Sequence, residues 1–303
     1  MLADLAMTGH ALLAEGRVML ATGGCEQPHV DAEWLMAGLL GIGRAALYRV
    51  LTDTLTDQVI GDYRAAVRRR ASGEPLQQIL GWEGFRGLTL RITRDVLIPR
   101  PETEMLVDVA LGLLPAARVD IRPRVIDIGT GSGAIACAIA AERPDVQVIA
   151  IDCSTGAARV ASDNVVRTRL ADRARVIVGD LLSVVRPRRI DLIVANPPYL
   201  TDAMLAAAPV EVREHEPRLA LAGGPDGLAV VRRIVAAAPS ALRTGGSLVL
   251  ETAGGAQASA VAELLRANAW EDVTISNDLA GVGRFVSGRV TASSVGSAGV
   301  MDS

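Results

Sequence analysis

Apolar residues recur at helical spacing through the first quarter of the chain. In Asp31-Ala-Glu-Trp-Leu-Met-Ala-Gly-Leu-Leu they follow an aspartate suited to cap a helix, and residues 44–51 and 57–70 keep the same period. Residues 1–72 therefore read as a small helical domain. The run Arg68-Arg69-Arg70 closes the last of these helices, where the backbone dipole favours positive charge, and reads as a solvated helix end. The period then changes. Gly81, Gly84 and Gly87 interrupt the next stretch and Leu88-Thr-Leu-Arg-Ile-Thr alternates, which predicts a β-hairpin within a linker over 73–98.

From Pro99 onwards short apolar runs alternate with stretches of helical length. Strands are predicted at 124–128, 147–152, 175–180, 191–195 and 247–251, with two short ones at 273–276 and 283–287. Helices are predicted at 102–114, 134–142, 155–170, 227–242 and 257–268. Such alternation implies an α/β, Rossmann-like domain over 99–289, with a mostly parallel sheet and helices on both faces. Residues 290–303 are Ser- and Gly-rich without apolar period and are expected to be a disordered tail.

Composition narrows the chemistry. The 303 residues carry 31 basic and 34 acidic side chains, and every basic one is arginine. Without lysine there is no Schiff base, no P-loop ammonium and no kinase-type ATP clamp. The bias itself belongs to an Ala-, Gly-, Val- and Arg-rich composition and indicates no function. No apolar run approaches the ~18 residues of a membrane span, and the first residues lack the basic-then-apolar pattern of a secretory signal. Cys25, Cys137 and Cys153 form no CxxC pair, which suggests reduced thiols in a cytoplasmic setting. His10, His29 and His215 are too scattered to suggest a metal. A net charge of −3, with three Trp, three Tyr and two Phe, weighs against a nucleic-acid partner. Any partner contact by cations runs through arginine, with Arg68–Arg70, Arg100 and Arg213 the first candidates.

Three strand ends carry the candidate chemistry. Val125-Ile-Asp-Ile leads into Gly129-Thr130-Gly131-Ser132-Gly133 and then a helix, so a ligand can lie against backbone N–H groups that a side chain would shield. Asp152 follows Gly129 by 23 residues, close to the ~20 expected of a carboxylate that holds two ribose hydroxyls; it can also cap the next helix. Asp180 ends the third strand, where it can accept from an adenine amino group or cap a helix, and Leu181 beside it offers an apolar wall. The fourth strand ends in Asn196-Pro197-Pro198-Tyr199. Two prolines remove two N–H donors, which leaves the Asn196 side-chain oxygen and the Pro197 carbonyl as acceptors for both hydrogens of a planar –NH₂ group. Tyr199 can pack on the face of that group. Drawing on both hydrogens shifts the nitrogen lone pair towards an electrophile, an interaction that strengthens in the transition state.

These residues resemble a known family. The Gly129–Gly133 turn with Asp152 and the Asn196–Tyr199 motif look like the cofactor and amino-methylating motifs of class I S-adenosylmethionine-dependent methyltransferases, which adenine-N6 and guanine-N2 nucleic-acid methylases share. The flanks Gly73-Glu-Pro-Leu-Gln-Gln-Ile-Leu-Gly, Leu97-Ile-Pro-Arg-Pro-Glu-Thr-Glu, Glu211-Val-Arg-Glu-His-Glu-Pro-Arg-Leu-Ala-Leu-Ala-Gly-Gly-Pro-Asp-Gly-Leu and Asp278-Leu-Ala-Gly-Val-Gly-Arg-Phe-Val are similar, in order, to the peptide chain release factor glutamine N5-methyltransferases of the HemK/PrmC family. The resemblance implies S-adenosyl-L-methionine as cofactor. Gly129–Gly133 would cradle its methionine part, Asp152 hold its ribose, and Asp180 and Leu181 flank its adenine. Asn196, Pro197, Pro198 and Tyr199 would receive the glutamine of a Gly-Gly-Gln loop in a class I release factor, with Asn196 also bordering the cofactor, and residues 1–72 would contact the rest of that protein. Leu181, His215 and Thr252-Ala253 depart from the residues common in the family.

Overall fold

A computed structural model describes residues 7–116 and 122–291; residues 292–303 of the expected tail lie outside that range. In chain order the elements begin with helices α1 (Gly9–Thr22), α2 (Pro28–Leu40), α3 (Arg44–Leu47), α4 (Asp57–Ala71) and α5 (Leu76–Leu80), then a hairpin of β1 (Trp82–Phe85) and β2 (Leu88–Arg91). There follow α6 (Pro101–Leu113), β3 (Arg124–Ile128), α7 (Ala134–Glu142), β4 (Gln147–Asp152), α8 (Thr155–Arg167), β5 (Ala174–Val178) and β6 (Ile190–Ala195). Three short helices, α9 (Asp202–Ala207), α10 (Val210–His215) and α11 (Arg218–Leu221), precede α12 (Ala229–Ala241), β7 (Leu242–Glu251), α13 (Ala256–Ala267), β8 (Glu271–Asn277) and β9 (Gly283–Arg289). The chain divides into two compact units: one runs to Trp82 and includes Pro209–His215, the other holds Glu83–Ala208 and the chain from Glu216 on.

The first unit is a helical cluster. Leu12, Leu13 and Leu20 of α1, Leu35 and Met36 of α2, and Tyr63 and Val67 of α4 fill its core. The unit reaches past residue 72 because Leu76, Ile79 and Leu80 of α5 pack on the same core and Trp82 meets Trp34 edge to face at 5.8 Å. Two readings of this region change. Asp31 does not cap α2, whose N-cap is Gln27 with Pro28 in the first turn; its carboxylate turns inward to Arg70 Nε at 2.6 Å and accepts from Cys25 Sγ at 2.9 Å. Arg70 is accordingly not a solvated helix end. It is 9% exposed, pairs with Glu211 of α10 at 2.7 Å and donates to the Glu74 carbonyl.

The second unit holds a seven-stranded sheet in the order β5-β4-β3-β6-β7-β9-β8. The first five strands are parallel; β9 runs antiparallel to β7 and β8 to β9. Alternate strand residues face opposite layers. Val125, Val148, Leu192 and Val249 pack with α6 and α7, while Ile126, Ile151, Ile193 and Leu250 pack with α12 and α13. Between β5 and β6 residues 179–189 form no helix. From β3 the chain winds to one side through β4 and β5, then returns to the other side of β3 with β6 and β7. That reversal makes β3/β6 the topological switch point, where ligands bind beyond the carboxyl ends of the strands.

Candidate active site

The sheet register sets the site. Ile128 stands opposite Ile151 on one side and Ala195 on the other, and Ala195 stands opposite Leu250. One residue further on, Asp152, Gly129, Asn196 and Glu251 come side by side across four adjacent strands. The pairing of apolar strands thus brings together residues that are 23 to 122 positions apart in the sequence.

The glycine turn is held from below by a carboxylate. Asp127 is fully buried; its Oδ2 accepts from Thr130 Oγ1 at 2.5 Å and from the Ala136 amide at 3.2 Å, while its Oδ1 has no partner among the described residues. Burial, uncompensated on that side, pushes its pKa up to about 7. Gly129, Gly131 and Gly133 have φ of +68°, +55° and +81°. At Gly129 and Gly131 a Cβ would enter open space, so the turn presents bare backbone to a ligand, whereas at Gly133 it would press on Ala161. The Ser132 carbonyl accepts from the buried Asn164 amide, which ties the turn to α8.

Asp152 is 9% exposed and accepts from the Gly131 amide at 2.9 Å and from the Ser154 amide at 2.9 Å. It is not the cap of α8, because Ser154 takes that place and accepts from the Ala157 amide. Asp180 caps nothing either, since residues 181–184 form a turn. Its carboxylate lies on the surface and pairs with Arg233 of α12 at 2.5 Å. Leu181 adopts a left-handed φ of +50° and packs on the apolar layer beneath α12.

Asn196 is half-buried and Pro197 buried. Among the described residues no hydrogen bond is made to the Pro197 carbonyl, whereas the Tyr199 carbonyl accepts from Gln257 Nε2 at 3.1 Å. The loop 223–227 closes over the same backbone: a Cβ on Gly223 would stand 2.8 Å from the Pro198 carbonyl oxygen, and one on Gly227 2.3 Å from that of Tyr199. Leu200 exchanges hydrogen bonds with Leu221 and Gly223. Tyr199 is largely enclosed, and burial raises its hydroxyl pKa. The motif is thus a fixed rim rather than a simple turn.

Two residues not singled out by sequence reasoning complete the rim. Asn196 Nδ2 donates to Thr103 Oγ1 at 3.2 Å, from the first turn of α6. Glu251, at the end of β7, is 1% exposed. The only sequence signals for them were an apolar-patterned strand ending in a charge and a threonine three positions after Arg100. Of the five arginines expected to meet a partner, Arg68, Arg69 and Arg213 are exposed, and the four other than Arg68 pair with carboxylates of the chain. Arg69 pairs with Glu74, Arg70 with Asp31 and Glu211, Arg100 with Glu216, and Arg213 with Glu214.

Comparison with known proteins bears on the whole chain. A profile for the PrmC N-terminal domain matches residues 11–81, and one for the methyltransferase small domain matches residues 106–212. The release factor glutamine methyltransferase of Geobacter sulfurreducens is 41% identical, over 90% of this chain and 94% of its own length. Those of Cereibacter sphaeroides and Moorella thermoacetica are 41% and 40% identical, over 90% and 91% of this chain and 95% and 96% of theirs. Among solved structures, the human Mettl16 catalytic domain in complex with an RNA hairpin aligns with a TM-score of 0.51 at 18% identity, over 78% of this chain and 81% of that one. A methyltransferase from Pyrococcus furiosus aligns with a TM-score of 0.51 at 17% identity, over 68% and 90%. These two likenesses are of fold.

Proposed function

This chain belongs to the release factor glutamine methyltransferase family, and on that premise we propose that it transfers a methyl group from S-adenosyl-L-methionine to N5 of the glutamine side chain in the Gly-Gly-Gln motif of class I peptide chain release factors. The observation that carries the reading is the row of strand ends: the Gly129 turn, Asp152 and Asn196 lie side by side at the switch point. The cofactor fits the residues present. Bare backbone at Gly129 and Gly131 and the orphaned Oδ1 of Asp127 suit the polar end of such a ligand, and Asp152 suits its ribose. Asp180 and Leu181 are placed in this reading beside the adenine. When bound, the cofactor supplies an electrophilic methyl group on a sulfonium.

The protein's own residues prepare the other reactant. Asn196 Oδ1 and the Pro197 carbonyl receive the two amide hydrogens, which orients the nitrogen and draws its lone pair out of conjugation. Pro198 and Tyr199, held by Gly223, Gly227 and Gln257, enclose the amide plane. The nitrogen proton becomes acidic only as the new N–C bond forms, so no base acts before attack. The helical first unit serves release factor recognition in this reading, and the reaction takes place in the cytoplasm without direct nucleic-acid contact. No helix among the described residues is long and apolar enough to cross a membrane.

Methyl transfer from labelled cofactor distinguishes this from the rival reading, an adenine-N6 or guanine-N2 nucleic-acid methylase. Label is expected on a class I release factor and not on duplex DNA; the reverse result sinks the proposal. Asn196→Ala is expected to keep cofactor affinity within about twofold while kcat falls by about 10² or more, the scale of losing one transition-state contact.

A further inference from the structure

The acceptor character of the pocket depends on which way the Asn196 side-chain amide faces. An asparagine amide is two-sided: one end accepts and the other donates, and a flip exchanges them. Here Nδ2 is turned to Thr103 Oγ1 at 3.2 Å, which leaves Oδ1 for a ligand. A hydroxyl, however, donates as readily as it accepts, so Thr103 cannot by itself decide the direction. A third group must.

That group is Glu251. Register places it next to Asn196, since Ala195 and Leu250 are partners in adjacent parallel strands. It is 1% exposed, and its Oε2 has no hydrogen-bond partner among the described residues. The Thr103 hydroxyl and, to a smaller extent, the Asn196 amide lie close enough to its carboxyl to draw its pKa down. An ionised carboxylate is an acceptor only. It therefore takes the Thr103 hydroxyl hydrogen, Thr103 is left with lone pairs for Asn196 Nδ2, and Oδ1 faces outward. With a proton on Glu251 the chain can run backwards: the carboxylic acid donates to Thr103, Thr103 donates to Asn196 Oδ1, and Nδ2 faces the pocket. A donor would then meet the amide hydrogens of the substrate.

We propose that Glu251 and Thr103 are positioning residues that fix the polarity of the Asn196 amide, so that transfer requires the hydrogen-bond chain to run from Asn196 through Thr103 to an ionised Glu251. The proposal rests on the reading of Asn196–Tyr199 as the amide-binding pocket. Burial, the largest influence, pushes the Glu251 pKa up to about 7, against the pull of Thr103, Arg284 and Asn196. The charged and titratable groups that face it are Arg284 of β9, Glu102 of α6 and, after β6, Tyr199. Arg284 is itself paired with Asp278, so it does not fully neutralise the carboxylate.

The test compares Glu251→Gln, Thr103→Val and Thr103→Ser with the unaltered full-length enzyme, using a class I release factor and labelled S-adenosylmethionine. Glu251→Gln and Thr103→Val are each expected to lower kcat about tenfold, less than the 10²–10³ of losing a direct contact, with cofactor affinity unchanged. Thr103→Ser keeps the hydroxyl and is expected to restore kcat to within about twofold of the unaltered enzyme. In the unaltered enzyme kcat/KM, which reports groups of the free protein, is expected to rise with pH through about 7. In Glu251→Gln that rise should vanish, which separates Glu251 from Asp127, whose titration lies in the same range. The proposal is overturned if Glu251→Gln keeps kcat within twofold with the same acid limb, or if Thr103→Val matches Thr103→Ser. If the unaltered enzyme labels no release factor, the proposed function itself fails, an outcome distinct from all of these.

Discussion

Asp127 and Asp152 both serve the glycine turn, yet only one of them has every oxygen used. Asp152 meets two backbone donors, whereas Asp127 Oδ1 is buried without a partner among the described residues. The folded protein therefore holds a proton on Asp127 up to about pH 7 against an ordinary value of 3.8. In that window the unfolded chain has released the proton and the native state has not, so the contribution of Asp127 to stability is fully present below 3.8 and is lost as pH rises to about 7. Asp127→Asn keeps an acceptor for Thr130 and Ala136 and cannot titrate. Urea unfolding at a series of pH values is expected to show a smaller loss of stability between about pH 4 and 7 in this variant, Glu251 supplying what slope remains; an unchanged slope would show that Asp127 is charged in the native state. At this scale the sequence was informative where function is local. The glycine turn and Asn196–Tyr199 are contiguous and carry their chemistry in their order. Thr103 lies 93 positions from Asn196 and 148 from Glu251, and only the packing of α6 against the paired strands β6 and β7 unites them.

Elements were legible wherever a period ran long enough to declare itself. The expected ranges 124–128, 134–142 and 147–152 match β3, α7 and β4 residue for residue, because each has a buried run bounded by glycine, proline or a charge. Helices α9, α10 and α11, of six, six and four residues, are shorter than two turns, and no periodicity marks them. Helix packing in the first unit hinges on Gly16, at the crossing of α1 and α4. A Cβ there would stand 2.2 Å from the Tyr63 hydroxyl, and Tyr63 is fully buried with its hydroxyl 3.3 Å from the Ala32 carbonyl. Gly16→Ala is therefore expected to destabilise the protein by about 1–3 kcal/mol, as overpacking does. Gly61 lies in α4, and a Cβ added there would meet nothing within 4 Å. Gly61→Ala is expected to stabilise by about 0.5–1 kcal/mol through helix propensity. Chemical denaturation of both variants decides the matter; equal shifts of one sign would mean that backbone freedom, not the crossing, dominates.

The chain crosses between its two units more than once. Beyond the Asn196–Tyr199 rim and α9 it leaves the sheet unit for residues Pro209–His215, which fold with the helical unit, and then returns at Glu216. Arg70 fastens that excursion. One guanidinium donates to Asp31, Glu211 and the Glu74 carbonyl, a reach in three directions that suits the planar fork of arginine and not a point-charged ammonium. The absence of lysine is thus no handicap at this position. Nothing in the sequence could announce the partnership, for Asp31 and Glu211 lie 39 and 141 positions away. Arg70→Met keeps much of the stem but strands Asp31, whose side chain is 10% exposed. Removing one member of a buried pair costs about 3–5 kcal/mol, most of it the unpaired charge, whereas replacing both members by apolar groups is often neutral. Arg70→Met is accordingly expected to lose stability on that scale, and Arg70→Met with Asp31→Leu to regain most of it. Losses that simply add in the double variant would show that the pair contributes through independent packing and that Asp31 is not held by Arg70.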